Sequence, residues 1–184
     1  MNNYLPEFDC RFFEDPTQLD LYRELCECHP VNGLQNNIPK KDFDEKFYRN
    51  IEDLELAIEY CLKYNVRHDQ KMEKLIAKNS KISYFYAISL LGVRFELGEP
   101  IISTSAYYSY AYARDVLRGK FELGEKSIAE NDNYSFLYAT KVINSRFELG
   151  EKVILTSDDF RDKYIQFLKS QNIDTTQLIK DYPG

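Results

Sequence analysis

The chain has 184 residues, enough for one compact domain or one short array with a real core. Its 43% apolar and 15% aromatic content argues against intrinsic disorder. The formal charge of −6 repels phosphate backbones, and no apolar run is long enough to cross a membrane, so nucleic acid and membrane are disfavoured as partners.

Residues 1–15 look irregular. Pro6 interrupts them, while Phe8, Phe12 and Phe13 are placed to pin the segment to a core. Met1-Asn2-Asn3-Tyr4-Leu5-Pro6 lacks the basic and then apolar regions of a signal peptide. Asp15-Pro16 has the form of an N-cap followed by proline at the first helical position. The helix it starts is expected to run to about Cys28, with Leu19, Tyr22 and Leu25 or Cys26 on one face. His29-Pro30 ends it, Asn32-Gly33 marks a turn, and residues 29–41 form a loop. Residues 1–41 are therefore expected to be a helical N-terminal cap with its loop. Glu7, Asp9, Glu14, Asp15, Asp20, Glu24 and Glu27 face only Arg11 and Arg23, which makes residues 1–30 net −5. The default reading is a solvated face. The sharper reading is a surface, with Glu14, Asp20 and Glu24 on it, that engages a basic patch on a partner or imitates nucleic acid.

The cysteines are Cys10, Cys26, Cys28 and Cys61, and none lies in the clear repeats described below. A reducing, cytoplasmic setting follows more simply than a disulfide framework. Cys26-Glu27-Cys28-His29 invites a zinc reading, with Cys10 or His68 completing the set. Cys26 and Cys28 are two apart on a helix and point to nearly opposite sides, so no metal and no cofactor is expected. His29 and His68 are the only histidines, and neither has a catalytic neighbourhood. The chain carries no phosphate-cradling glycine loop, no nucleophile elbow and no His-Glu-x-x-His helix. Catalytic residues are expected to be absent, and the chain is not expected to be an enzyme.

From residue 42 onward the sequence repeats. Arg94-Phe95-Glu96-Leu97-Gly98-Glu99 returns as Lys120-Phe121-Glu122-Leu123-Gly124-Glu125 and as Arg146-Phe147-Glu148-Leu149-Gly150-Glu151, a stride of 26 residues. Tyr60, Tyr86, Tyr112, Tyr138 and Tyr164 keep that stride, as do Ile76, Ile102, Ile128 and Ile154. Ala87, Ala113 and Ala139 follow their tyrosines, and Leu90, Val116, Val142 and Leu168 come four residues after them. This spacing is a broad helical stripe and not a strand's alternation. Each unit is expected to hold a longer helix A such as Ser83–Arg94, a bend at Phe-Glu-Leu-Gly, and a short helix B starting near the second Glu. The fold class is thus all-α: a short α-solenoid of helix hairpins over residues 42–184, clearest over 82–156, behind the N-terminal cap. The outer units have drifted, as the caps of arrays do.

At the bend, Gly98, Gly124 and Gly150 are expected to supply a positive φ. The Phe and Leu beside the first Glu are expected to fold into the core. Glu99, Glu125 and Glu151 fall in the first turn of helix B, where the helix dipole favours them, and Pro100 suits that same turn. Arg94, Lys120 and Arg146 are expected to close helix A and to reach a Glu of the same or the next bend, giving a ladder of exposed ion pairs.

Tyr107-Tyr108-Ser109-Tyr110-Ala111-Tyr112 is the richest aromatic cluster. Tyr108 and Tyr110 cannot both face the same way on a helix, so at least one is expected to be exposed. Tyr107, Tyr108 and Tyr110 are therefore candidate partner-binding residues; the bland alternative packs them against the neighbouring unit. The rival to protein binding is a nucleic-acid stripe of Arg94, Arg114, Arg118, Lys120 and Arg146.

The pattern Tyr-Ala-x-x-Val-Leu-x-x-Lys/Arg-Phe-x-x-Gly-Glu-x-x-Ile-Ala, complete at Tyr112 to Ala129, resembles a helical repeat that recurs in uncharacterised proteins of tailed bacteriophages and some large DNA viruses. The bend there is often Arg-Phe-Pro-x-Gly-Glu; here Glu96, Glu122 and Glu148 stand in the proline's place. The resemblance covers residues 82–156 well, 42–81 weakly and the first 41 not at all. It implies a viral setting and a helical array, with no active site. The resulting expectation is a phage accessory protein in the host cytoplasm that binds and modulates a host protein, such as a defence component. Its oligomeric state is left open.

Overall fold

Three short polar side chains start three longer helices. Asn79, Ser105 and Asn131 stand 26 residues apart in extended conformation, and each accepts an amide three residues on: Ile82 at 3.1 Å, Tyr108 at 3.4 Å and Tyr134 at 3.0 Å. They are N-caps, which satisfy amides a helix start would otherwise leave open. The structure is a computed structural model that describes Leu54, Ile58, Cys61 and residues 65–183, all within the unit Asn50–Gly184.

Among the described residues the chain is helical throughout, with no strand. Helix α1 spans Gln70–Ile76 and is capped by Asp69. Helix α2, Ser80–Tyr86, continues as a π-helical turn, Ala87–Leu91. A 3-10 turn, Glu96–Gly98, leads into α3, Glu99–Ile102. The pattern then recurs: α4, Ala106–Tyr112, with a π turn, Ala113–Leu117; then α5, Glu122–Ile128. It recurs again as α6, Asp132–Leu137, with a π turn, Tyr138–Val142, a 3-10 turn, Glu148–Gly150, and α7, Glu151–Leu155. Helix α8, Arg161–Ser170, and α9, Thr176–Asp181, end the described chain.

The longer helices α2, α4 and α6 pack side by side in chain order, and their π turns do so too. The shorter helices α3 and α5 pack on each other, and each longer helix packs on the shorter helix that follows it. Helix A of the first clear unit therefore runs from Ser80 to Leu91, not from Ser83 to Arg94. It ends early because its last turn widens. The Gly92 amide reaches back five residues to the Ala87 carbonyl (2.8 Å), and the Ile143 amide reaches back to Tyr138 (3.0 Å). The chain then reverses through a left-handed residue at the same place in each unit: Gly92 (φ 66), Arg118 (φ 52) and Asn144 (φ 45).

The glycines of the bend do something else. Gly98 and Gly150 have φ of −86 and −92, and Gly124 lies inside α5, so the expected positive φ is absent. What these positions lack is room. A Cβ on Gly124 would lie 2.4 Å from Phe121 Cδ1 and 2.6 Å from Ser109 Cβ, and Gly98 and Gly150 are as crowded. The facing serines Ser83, Ser109 and Ser135 are buried, and their hydroxyls donate to the carbonyls of Ile76, Ile102 and Ile128 at 2.9, 3.1 and 2.9 Å. Small residues on both sides let the two helices touch.

The core repeats accordingly. Ile76, Ile102, Ile128 and Ile154 are fully buried, as are Tyr86, Tyr112, Tyr138 and Tyr164. The bend phenylalanines meet those tyrosines edge-on, with ring centroids 5.0 Å apart for Tyr86–Phe95, 5.1 Å for Tyr112–Phe121 and 5.0 Å for Tyr138–Phe147. Phe95, Phe121 and Phe147 are buried as expected; Leu97, Leu123 and Leu149 are not, and point outward. At the C-terminal end the motif has drifted, with Ile173, Thr176 and Gln177 in the places of Phe, Gly and Glu. There Arg161 donates to the Tyr182 carbonyl at 2.8 and 3.1 Å and ties α9 to α8.

Candidate interaction surface

The bend is built around a buried hydroxyl. Tyr112 accepts the Phe95 amide (2.7 Å) and donates to Glu99 (3.1 Å). Tyr138 does the same with Phe121 and Glu125 (3.0 and 2.9 Å), and Tyr164 with Phe147 and Glu151 (3.0 and 3.4 Å). One unit earlier, Tyr86 accepts the His68 amide and donates to Glu73 (3.2 and 3.0 Å). Each helix A thus clamps the bend of the unit before it. Burial raises all four phenols far above their ordinary pKa, while the amide donated to each pulls the other way.

The basic residue of the motif completes the clamp. Arg94 reaches Glu99 through two nitrogens (2.6 and 2.8 Å), and Arg146 holds Glu151 in the same forked way, with Nη2 at 2.8 Å. Of the two expected partners, the same bend or the next, the structure has the Glu of the same bend. The pairs are also only half exposed: the Arg94 side chain is 56% accessible and that of Glu99 3%. The arginines stand beyond the end of helix A, so they do not close it. Lys120, at the same place in the middle unit, is exposed, and His68 brings Nδ1 to 3.8 Å from Glu73. The recurring second Glu is therefore a structural anchor, engaged by a tyrosine and in two units by a fork of arginine nitrogens.

The candidate tyrosines lie between units. Tyr108 meets Tyr84 of the preceding helix (5.9 Å), Tyr110 stacks on Tyr134 of the next (5.9 Å), and Phe136 continues the series onto Phe160 (5.2 Å). Tyr107 contacts both Tyr108 and Tyr134 edge-on (4.9 and 5.6 Å). Tyr110 is buried, with 4% of its surface accessible, and Tyr107 and Tyr108 are half-buried. The expected exposure of Tyr108 or Tyr110 is thus not found. The two do point apart, but each finds a neighbouring helix, since a helix in the middle of a stack is flanked on both sides. Arg114 departs from the repeat. It forks onto Asp115 (2.6 and 2.8 Å) and lies over the Tyr110 ring (5.0 Å), while Asp115 accepts from Tyr84 (2.7 Å). With Arg94, Arg114 and Arg146 all paired to carboxylates, three of the five cations of the nucleic-acid stripe are already compensated.

What the units do present outward is the row that sequence reasoning placed in the core. Leu97, Leu123 and Leu149 are 48%, 58% and 63% accessible, at the same position of three successive bends. Glu96, Glu122 and Glu148 precede them and are exposed too. Phe-Glu-Leu-Gly enters its short helix at Glu, so Phe and Gly turn inward together and Glu-Leu turns out. The deciding contact is tertiary: once Gly faces a serine of the preceding helix at contact distance, Phe and Gly take the inner side of the turn and leucine is left outside.

Glu14, Asp20 and Glu24 lie outside the described residues, as do Cys10, Cys26, Cys28 and His29. Among the described residues no cluster of three metal-ligating side chains occurs, and no helix is long and apolar enough to cross a membrane. Cys61 is buried and unpaired; burial, Asp69 and Glu73 push its thiol up to about 12, which suits a core side chain and not a nucleophile. Compared with protein-family models, curated proteins and solved structures, the chain matches none.

Proposed function

We propose that this chain is a protein-binding repeat protein whose hairpins stack as a short solenoid and whose bend edge is the binding face. The observation that carries the reading is the row Leu97, Leu123 and Leu149, three exposed leucines at one position of the repeat. Burying a leucine is worth about 1.5–3 kcal/mol, so three together are enough to hold a partner once aligned. The fold does not need them, because the buried Phe and Tyr already fill the space between helices. Repeat arrays serve as binding surfaces because one contact is copied at constant spacing. The second carboxylate of each bend is a structural anchor, which favours binding over catalysis.

The setting follows from the resemblance of the bend motif to repeats of tailed bacteriophages and large DNA viruses. On that basis the chain is an accessory factor that acts in the host cytoplasm on a host protein. The test is affinity purification from host cells with the chain and its L97S/L123S/L149S variant as baits. A stoichiometric protein recovered by the first and lost with the second supports the reading. Recovery of nothing, or of the same proteins by both baits, refutes it.

A further inference from the structure

We infer that the bend edge takes a basic amphipathic α-helix, with an apolar side chain every seventh residue, from its protein partner. The inference rests on the protein-binding reading above and names the chemistry of the occupant. Three observations lead to it. First, packed helices stand about 8–10 Å apart, so equivalent bends are offset by about that much. Seven residues of an α-helix advance about 10.5 Å, close to the upper end of that offset, so residues i, i+7 and i+14 of a helix come opposite the exposed Leu97, Leu123 and Leu149. Second, charge selects the sign of the partner. Glu96, Glu122 and Glu148 are exposed beside the leucines in all three units, whereas Arg94 and Arg146 are held by Glu99 and Glu151. Lys120 is exposed in the middle unit, and Lys126 and Lys152 stand one turn further on where the first unit has Pro100, so no exposed lysine recurs in all three units, whereas the carboxylate does. Third, the row is narrow. Three leucines fall well short of the ~800 Å² per partner that a stable dimer interface covers, which disfavours a second copy of this chain. An extended segment is disfavoured as well, because an all-helical edge offers no backbone groups to pair with it, whereas a helix pairs its own.

The probe is a labelled 21-residue helical peptide with Leu at positions 3, 10 and 17 and Lys beside each, titrated with the full chain by fluorescence anisotropy. The expected result is saturable binding, weakened about tenfold or more by L123S and weakened by E96Q/E122Q/E148Q with a shallower salt dependence. A control peptide with Glu in place of Lys, and one with a central proline, are expected to bind at least about tenfold more weakly. No binding of the Lys peptide, equal binding of the control peptides, or indifference to L123S overturns the inference. So does concentration-dependent dimerisation of the chain that L97S/L123S/L149S abolishes, because a second copy then covers the row. If the peptide fails while a leucine-dependent partner is recovered from cells, the inference falls and the protein-binding reading stands. Unchanged thermal melting of L123S shows that the effect on binding is not a loss of fold.

Discussion

The Tyr112 hydroxyl sits between the Phe95 amide and the Glu99 carboxylate, 2.7 and 3.1 Å away, and so joins one helix to the bend of the unit before it. The group donates once and accepts once, and both partners are buried. Tyr112→Phe keeps the ring and deletes both bonds. Leaving buried polar groups unsatisfied costs about 1–3 kcal/mol. A thermal melt should show the variant less stable than the parent by that amount; a melt identical to the parent's would mean the clamp is ornamental.

The same hydroxyls set the alkaline limit of the fold. Tyr86, Tyr112, Tyr138 and Tyr164 have phenols raised in the folded state, chiefly by burial, and Cys61 is raised to about 12. A folded pKa above the unfolded one means the folded chain holds its proton longer. The associated stability is complete below the unfolded values, about 8.5 for Cys and 10 for Tyr, and is lost as pH climbs through the folded ones. The melting temperature should therefore fall from pH 9 to pH 11, with a smaller fall in Tyr112→Phe. In a spectrophotometric titration a subset of phenols should ionise only when the chain unfolds.

Gly124 tests the meaning of the bend glycine. Alanine there gains helix propensity of about 1 kcal/mol, yet its Cβ would lie 2.4 Å from Phe121 Cδ1 and 2.6 Å from Ser109 Cβ. Overpacking of this kind costs about 1–3 kcal/mol, so the clash should win and Gly124→Ala should melt lower. Ser109→Gly costs helix propensity and the bond to the Ile102 carbonyl by itself, but combined with Gly124→Ala the loss should be smaller than the sum of the two single losses. A positive-φ role would show no such coupling.

Phe121 and Leu123 are two residues apart and should respond in opposite ways. Phe121 is buried against Tyr112, and truncation to alanine should remove about 3–5 kcal/mol. Leu123 is exposed, and Leu123→Ala should stay within about 0.5 kcal/mol of the parent. Denaturant titration of the two variants measures both. Comparable losses would put the leucine back in the core.

Arg118 holds a left-handed conformation where the unit before it has Gly92. Such a conformation costs a non-glycine residue about 1–2 kcal/mol, against about 0.5–1 kcal/mol for the extra chain entropy of glycine. Arg118→Gly should therefore raise stability by about 0.5–1 kcal/mol, which is about 1–4 °C in melting temperature for a chain of this size.

Read alone, the 26-residue stride was enough to establish helices, their number per unit and the inward tyrosine, isoleucine and phenylalanine, because burial on a helix leaves a period that composition cannot imitate. Pro100 likewise marked the start of its helix without coordinates. Three matters depended on how units press on each other. Glycine at the bend is needed for a serine on a different helix, a contact 15 residues away along the chain that no local pattern encodes. Tyr108 and Tyr110 are covered by helices on either side, so their burial belongs to the stack and not to their own helix. Leu97, Leu123 and Leu149 are apolar yet outward, because once Phe and Gly turn in, the geometry of a single helical turn leaves leucine nowhere else to go.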